Sequence, residues 1–165
     1  MILEIPIFRK NMATYIKLTE DKLSITDVYD KLTHPHYGGT VVFQGTTRNI
    51  YHPDQSHPNS VKYLDFQAYN KMAEKELEKL AQEILKKYEK VKIVVLHHRI
   101  GTCEEAEPCV YVGVASAHRE QLFDACDFGI CELKRRVPIW KKEIYFNNEE
   151  SPWLKNCECA KKFYE

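Results

Sequence analysis

The residues best suited to chemistry in this 165-residue chain crowd into one segment, Leu133-Lys134-Arg135-Arg136-Val137-Pro138-Ile139-Trp140-Lys141-Lys142-Glu143. Five cationic side chains fall between positions 134 and 142, with no acid before Glu143. The chain as a whole balances 24 basic against 24 acidic residues, so this local excess is not a by-product of composition. Pro138 divides the segment: the residue before a proline avoids the helical region, and strand-like alternation follows it. Lys134 then belongs to the last turn of a helix, whereas Lys141 and Glu143 share one face of a strand. A strand folded back beside that helix brings Lys134 and Lys141 into one small volume. Two neighbouring ammonium groups lower each other's pKa, which makes a lysine a usable acid, base or nucleophile near neutral pH. By spacing alone a second explanation stands: cations in a last helical turn complement the macrodipole, and surface lysines are usually only solvated. Lys142 speaks for a site, because it interrupts the apolar row Trp140, Ile144 and Phe146.

Two further candidates carry charge at suggestive places. His118-Arg119 follows a predicted strand at the entrance to a helix, where anions are favoured and a His-Arg pair adds donors; an exposed helix start explains it equally well. Arg48 stands on a turn after a strand that also contains Gly45, and an arginine there suits bidentate contact with phosphate or carboxylate. His97 and His98 fall on opposite faces of a strand, cannot both line one site, and read as structural. His34, His36, His52 and His57 read as surface residues in loops. No glycine-rich phosphate loop, Gly-x-Ser-x-Gly elbow or paired-cysteine redox motif is present.

The elements that must position these residues follow from periodicity. Strands are expected at 14–19, 40–43 and 61–69, and a short helix at 24–33 with Ser24 or Thr26 as N-cap. The strongest helix runs from Lys71 to Tyr88, with Ala73, Leu77, Leu80, Ala81, Ile84, Leu85 and Tyr88 as its apolar stripe. Residues 91–100 form a strand buried on both faces. An acidic turn over 101–108 and a second strand over 109–117 make a hairpin with it. A helix over 120–136 buries Phe123, Cys126, Ile130, Leu133 and Val137, and a strand over 139–146 follows Pro138. Residues 50–60, rich in proline and histidine, are loop, as is 147–152, and the tail from Trp153 is short and polar. Interleaved strands and helices argue an α/β or α+β sandwich.

Composition excludes several classes. With 44% hydrophobic and 29% charged residues the chain suits one ordinary globular domain, taken as 1–154 with a polar tail over 155–165. Zero net charge gives no field for nucleic acid or a membrane, and no stretch approaches the roughly 18 apolar residues that span a bilayer. The apolar start carries Glu4 and Pro6 and does not read as a secretory signal. The six cysteines lack disulfide-framework spacing and read as reduced thiols of the cytosol. Cys157-Glu-Cys159 could contribute to a metal site, but no second Cys/His pair follows at finger-like spacing.

Five motifs occur in a telling order: Phe43-Gln-Gly-Thr-Thr-Arg48-Asn49, Ala68-Tyr-Asn-Lys-Met-Ala-Glu74, His98-Arg-Ile-Gly101, Ala117-His118-Arg119, and Leu133-Lys134 through Glu143. Over roughly residues 14–154 the chain resembles the large, catalytic subunit of molybdopterin synthase. The resemblance implies an α+β fold, the α/β hammerhead, with a small additional β subdomain. It implies a homodimer of large subunits, each binding one small ubiquitin-like sulfur carrier, hence a heterotetramer. The carrier's thiocarboxylated Gly-Gly end would deliver two sulfurs in succession to cyclic pyranopterin monophosphate, forming the molybdopterin dithiolene, with no metal or organic cofactor in that step. Lys134 and Lys141 carry over as the central catalytic lysines, and Arg48, His118, Arg119, Lys142 and Glu143 as substrate-pocket residues. A cationic pocket suits a phosphorylated substrate and an anionic sulfur donor, and loss of an oxygen requires a proton donor. The chain departs from the family pattern in the longer 50–60 loop, in Gln67 where an acid is common, and beyond Trp153. A binding module for phosphorylated ligands or RNA, or a scaffold without activity, are the alternative readings. The neutral charge and short basic run speak against the first, and the intact Lys134, Lys141 and Arg119 against the second.

Overall fold

The computed structural model describes residues 12–49 and 60–155. Strand β1 (Ala13–Thr19) leads through helix α1 (Ile25–Leu32) to β2 (Gly39–Thr46). Strand β3 (Val61–Ala68), helix α2 (Asn70–Lys87), β4 (Ile93–Arg99), β5 (Gly101–Glu104) and β6 (Pro108–Ser116) follow. Helix α3 (Leu122–Arg136), β7 (Ile139–Tyr145) and the two-residue β8 (Leu154–Lys155) complete the described chain. The strands form two four-stranded sheets, in the orders β1-β4-β6-β2 and β5-β3-β7-β8. In the first, β1 and β4 run parallel and the other pairs are antiparallel; the second is antiparallel throughout. The fold is mixed α+β, as the resemblance implied, and the second sheet is its additional β unit. Among the described residues no helix is long and apolar enough to cross a membrane.

The first sheet is the centre of the core because β4 and β6 lie inside it. Residues Ile93–His98 of β4 are all buried, as the central apolar run predicts. Alternation sends Val94 and Leu96 toward α2 and α3, and Ile93 and Val95 toward α1. Helix α2 buries the expected stripe, with Ala73, Leu77, Leu80, Ala81 and Ile84 fully enclosed. Helix α3 reaches the sheet closely because Gly129 leaves room: a Cβ there would meet Val112 Cγ1 at 2.9 Å and Ile84 Cδ1 at 3.2 Å. Ser24 caps α1, accepting from the Asp27 N–H at 3.4 Å.

Four expectations are corrected. The acidic turn over 101–108 contains a strand: β5 pairs with β3, and only residues 104–107 turn. Gly101, at φ +75°, lets the chain leave β4 and join the other sheet within one residue. On α3 it is Leu122, not Phe123, that faces inward; Leu122 is buried near Gly39, and Phe123 is 65% exposed. Gln121 opens this helix in the left-handed region, its side chain accepting from the Lys90 N–H, and that start sets which residue of the first turn points at the sheet. The row Trp140, Ile144, Phe146 buries only Ile144. Finally, the segment after Trp153 adds β8 beside β7. The loop 50–59 and Cys157-Glu-Cys159, with His52 and His57, lie outside the described residues.

One carboxylate ties the sheet end together. Glu107 forms an ion pair with Lys22, accepts from the Glu104 N–H at 3.0 Å, and accepts from Arg99 Nη1 at 2.7 Å. Those donors, Lys22 foremost, hold its carboxyl down to about 2. A carboxyl depressed in the folded state stabilises the fold above its ordinary value of 4.5 and loses that contribution as pH falls toward 2. Urea midpoints measured between pH 6 and pH 2 should therefore drop less steeply for Glu107→Gln than for the wild type, with the difference confined to the range below about 4.5. In the core, Leu80→Ala should cost about 2–5 kcal/mol of unfolding free energy at pH 7, read from the same denaturation curves.

Candidate active site

The helix-proline-strand segment folds as the sequence requires. Helix α3 ends with the Val137 N–H donating to the Leu133 carbonyl at 3.1 Å, and Ile139 opens β7 after Pro138. Its five cations are then sorted by direction. Arg135 makes a two-pronged contact with the buried Glu132, at 3.0 Å and 2.6 Å. Arg136 pairs with Glu83 at 2.5 Å and approaches Glu132 at 3.5 Å. Lys142 pairs with Glu150 at 2.8 Å and lies over the Trp153 ring, 4.9 Å from its centroid. These three serve ion pairs on the outside of the segment. Lys142, expected in the pocket, falls on the face of β7 opposite Lys141.

Lys134 and Lys141 both come within electrostatic range of one buried thiol. Lys141 is paired across strands with Phe66 and Glu143 with Leu64, so all four side chains leave the second sheet on one face. The Phe66 ring meets His98 edge-on at 5.1 Å, joining that face to the end of β4. The buried thiol of Cys109, at the start of β6, marks the convergence. Burial pushes it up to about 11, while Lys134 first, and Lys141 and Arg99 after it, pull the other way. Both ammonium groups thus act on one thiol. His98 is 1% exposed; burial brings its imidazole down to about 4, with Lys134 adding to the effect. Its Nδ1–H donates to the Arg99 carbonyl at 2.7 Å, the neutral tautomer that this burial demands. His98 and Cys109 are thus buried, uncharged groups within the field of Lys134.

The pocket is not purely cationic, as mutual repulsion of the lysines assumed. Glu143 Oε1 lies 3.7 Å from Lys141 Nζ, and both side chains are largely enclosed, 12% and 18% exposed. Arg48 is exposed on the turn after β2, at the same sheet end as Cys109, whose thiol donates to the Gly45 carbonyl at 3.3 Å. The preceding Thr47 pins that turn: its N–H donates to the Glu107 carbonyl and its hydroxyl to the Cys103 carbonyl.

His118 and Arg119 are elsewhere. They follow β6 and precede α3, at the end of the first sheet where Gly39 pairs with Ser116, whereas Cys109 lies at the other end beyond Val110. The twelve helical steps from Leu122 to Lys134 carry the helix about 18 Å along its axis, so within one chain the His-Arg pair does not reach the lysines. His118 instead borders a cavity of about 240 Å³ shared with Tyr37, Lys90 and Lys92.

Sequence reasoning missed Cys109 and Glu132. Cys109 was legible only as a thiol in a strand. Glu132 falls one position before the apolar Leu133, and nothing in its spacing shows that two arginines enclose it. His97 and His98 do point to opposite faces; His97 Nδ1 lies 3.9 Å from Asp27 on the α1 side. His34 and His36 are exposed, as expected, and His34 stacks on Tyr37.

Comparison with known proteins agrees with this architecture. The family model described as MoaE protein matches residues 18–136. A relative from Taeniopygia guttata, named molybdopterin synthase catalytic subunit, is 38% identical over 145 residues, covering 88% of this chain and 89% of its own. The crystal structure of molybdopterin synthase from Staphylococcus aureus superposes with a TM-score of 0.75 at 29% identity, covering 84% of this chain and 95% of that one. A chain from a complex of subunits 1 and 2 of the Helicobacter pylori molybdopterin-converting factor shares the fold, with a TM-score of 0.65 at 18% identity over 87% and 90% of the two chains. A family match across most of the chain, with a relative this similar over nearly its whole length, decides the matter: the chain belongs to the MoaE family, that of molybdopterin synthase catalytic subunits.

Proposed function

We propose that this protein transfers two sulfurs from the thiocarboxylated C-terminus of a small carrier subunit to cyclic pyranopterin monophosphate, forming the molybdopterin dithiolene. The observation that carries the reading is the enclosed Lys141–Glu143 pair, 3.7 Å apart, on the face of β7 that meets His98 through Phe66, with Lys134 near enough to act on His98 and Cys109. Two ammonium groups over a neutral, buried floor attract an anionic donor and a phosphorylated acceptor more strongly than solvated lysines would. Each sulfur insertion expels an oxygen, and a lysine ammonium is the proton donor in reach of that step. Glu143 keeps Lys141 oriented, and Arg48, on the same sheet end, is placed to meet substrate phosphate or carboxylate. The Helicobacter pylori two-subunit complex supports a small-subunit partner. Buried free thiols at Cys103, Cys109, Cys126 and Cys131 suit the reducing cytosol. A nucleic-acid module loses its footing here, because Arg135, Arg136 and Lys142 are engaged with carboxylates.

The separation of His118-Arg119 from the lysines supports a two-fold dimer in which the pair serves the pocket of the other subunit. Co-expressed Lys134→Ala and Arg119→Ala chains, each inactive alone, should then recover about a quarter of wild-type activity by random assortment into mixed dimers. No recovery would place both sets of residues in one chain's site.

The direct test mixes the chain with thiocarboxylated small subunit and pyranopterin substrate and assays dithiolene product. A folded, carrier-bound protein that yields none overturns the proposal. Lys134→Ala should abolish turnover while leaving the melting temperature nearly unchanged, since a partly exposed lysine contributes little to stability. A large fall in melting temperature would instead make Lys134 a structural residue.

A further inference from the structure

The face of β7 that presents Lys141 and Glu143 continues to Tyr145, two residues on. Tyr145 is only 6% exposed, and its hydroxyl donates to Glu143 Oε2 at 3.1 Å. The other oxygen of the same carboxylate, Oε1, is the one 3.7 Å from Lys141 Nζ. The three side chains form a line running from a buried phenol to the pocket ammonium. A carboxylate held at neither oxygen can rotate about its own axis and offer Lys141 several positions. With Oε2 engaged by a ring that has only two torsions, Oε1 is left facing one way. The backbone here is held as well. The Glu143 N–H donates to Ser151 Oγ at 2.9 Å, and the Glu143 carbonyl accepts from the Ser151 N–H at 2.9 Å. The Tyr145 N–H donates to the Glu149 carbonyl at 3.0 Å, so the chain after β7 folds back over the strand.

We propose that Tyr145 is a positioning residue for the reaction: its hydroxyl fixes the Glu143 carboxylate, and Glu143 fixes the Lys141 ammonium in the pocket. The kinetic consequence rests on the sulfur-transfer reading above, whereas the geometric consequence does not. Displacing a reacting group by about 1 Å can cost on the order of a hundredfold in rate. A long, flexible lysine is the group most in need of such support.

Tyr145→Phe keeps the ring and removes one oxygen. In the reconstituted assay its kcat should fall about 10- to 100-fold, the worth of one hydrogen bond to a charged group. The KM for pterin and the affinity for the carrier should stay within about twofold, because positioning acts in the transition state. Glu143→Gln should lower kcat on its own, and adding Tyr145→Phe to it should lower kcat no further, since the hydroxyl acts through the carboxylate. Fully additive losses, or an unchanged kcat in Tyr145→Phe, would overturn the proposal. A second measurement is independent of turnover: the NMR order parameter of the Lys141 Cε methylene should fall in Tyr145→Phe while that of Lys142 does not change. An unchanged Lys141 order parameter overturns the positioning role whether or not the protein turns over. A wild type that makes no product overturns the sulfur-transfer reading, and the order parameter then judges the role of Tyr145 alone.

Discussion

Strand β4 is buried from Ile93 to His98, so the backbone donors and acceptors there must find partners, and β1 and β6 supply them. A chain leaving such a strand cannot drift through the interior with its amides unpaired. Here the Ile100 N–H is taken by the Thr19 carbonyl at 2.8 Å, and Gly101, in a conformation that side chains resist, delivers the next residues to the edge of a second sheet. That change of sheet is the constraint from which the site follows. Strand β5 pairs with β3, β3 pairs with β7, and β7 carries Lys141 and Glu143. Because β4 ends with His98 against Phe66, the pocket forms where one sheet stops and the other begins.

The electrostatics of the junction depend on what is beneath the lysines. His98 and Cys109 are polar side chains that burial keeps uncharged at neutral pH, one brought down to about 4 and the other pushed up to about 11. A neutral, low-dielectric floor neither competes for the ammonium groups nor screens them as water would. Several acids near the segment engage its other cations. Glu132 and Glu83 hold the arginines, and Glu150 holds Lys142. Glu143 shares the face of β7 that carries Lys141, with its Oε1 3.7 Å from the Lys141 ammonium.

Helix α3 separates two sets of charged residues by its own length. The lysine end reaches the junction of the sheets, and the other end presents His118 and Arg119 at the opposite edge of the first sheet. A rigid helix packed through Gly129 cannot bend to unite them.

The amino-acid sequence alone determined the periodic elements and the direction of the key side chains. The stripe of α2, the doubly buried β4, the stop at Pro138 and the common face of Lys141 and Glu143 all follow from local pattern, because burial periodicity and backbone restriction act over a few residues. The ordered motifs carried the family. Local pattern could not show that β5 leaves its neighbour for another sheet, that Leu122 rather than Phe123 turns inward, or that β8 exists, since each depends on what a distant strand or helix offers. The same holds within Lys134 to Glu143. Five cations look alike in one dimension, and only the packed structure separates the three bound by Glu132, Glu83 and Glu150 from Lys141, which stands beside Glu143, and Lys134, whose charge reaches Cys109. Charge is a property of the residue, whereas the field it creates is set by the groups that folding places around it.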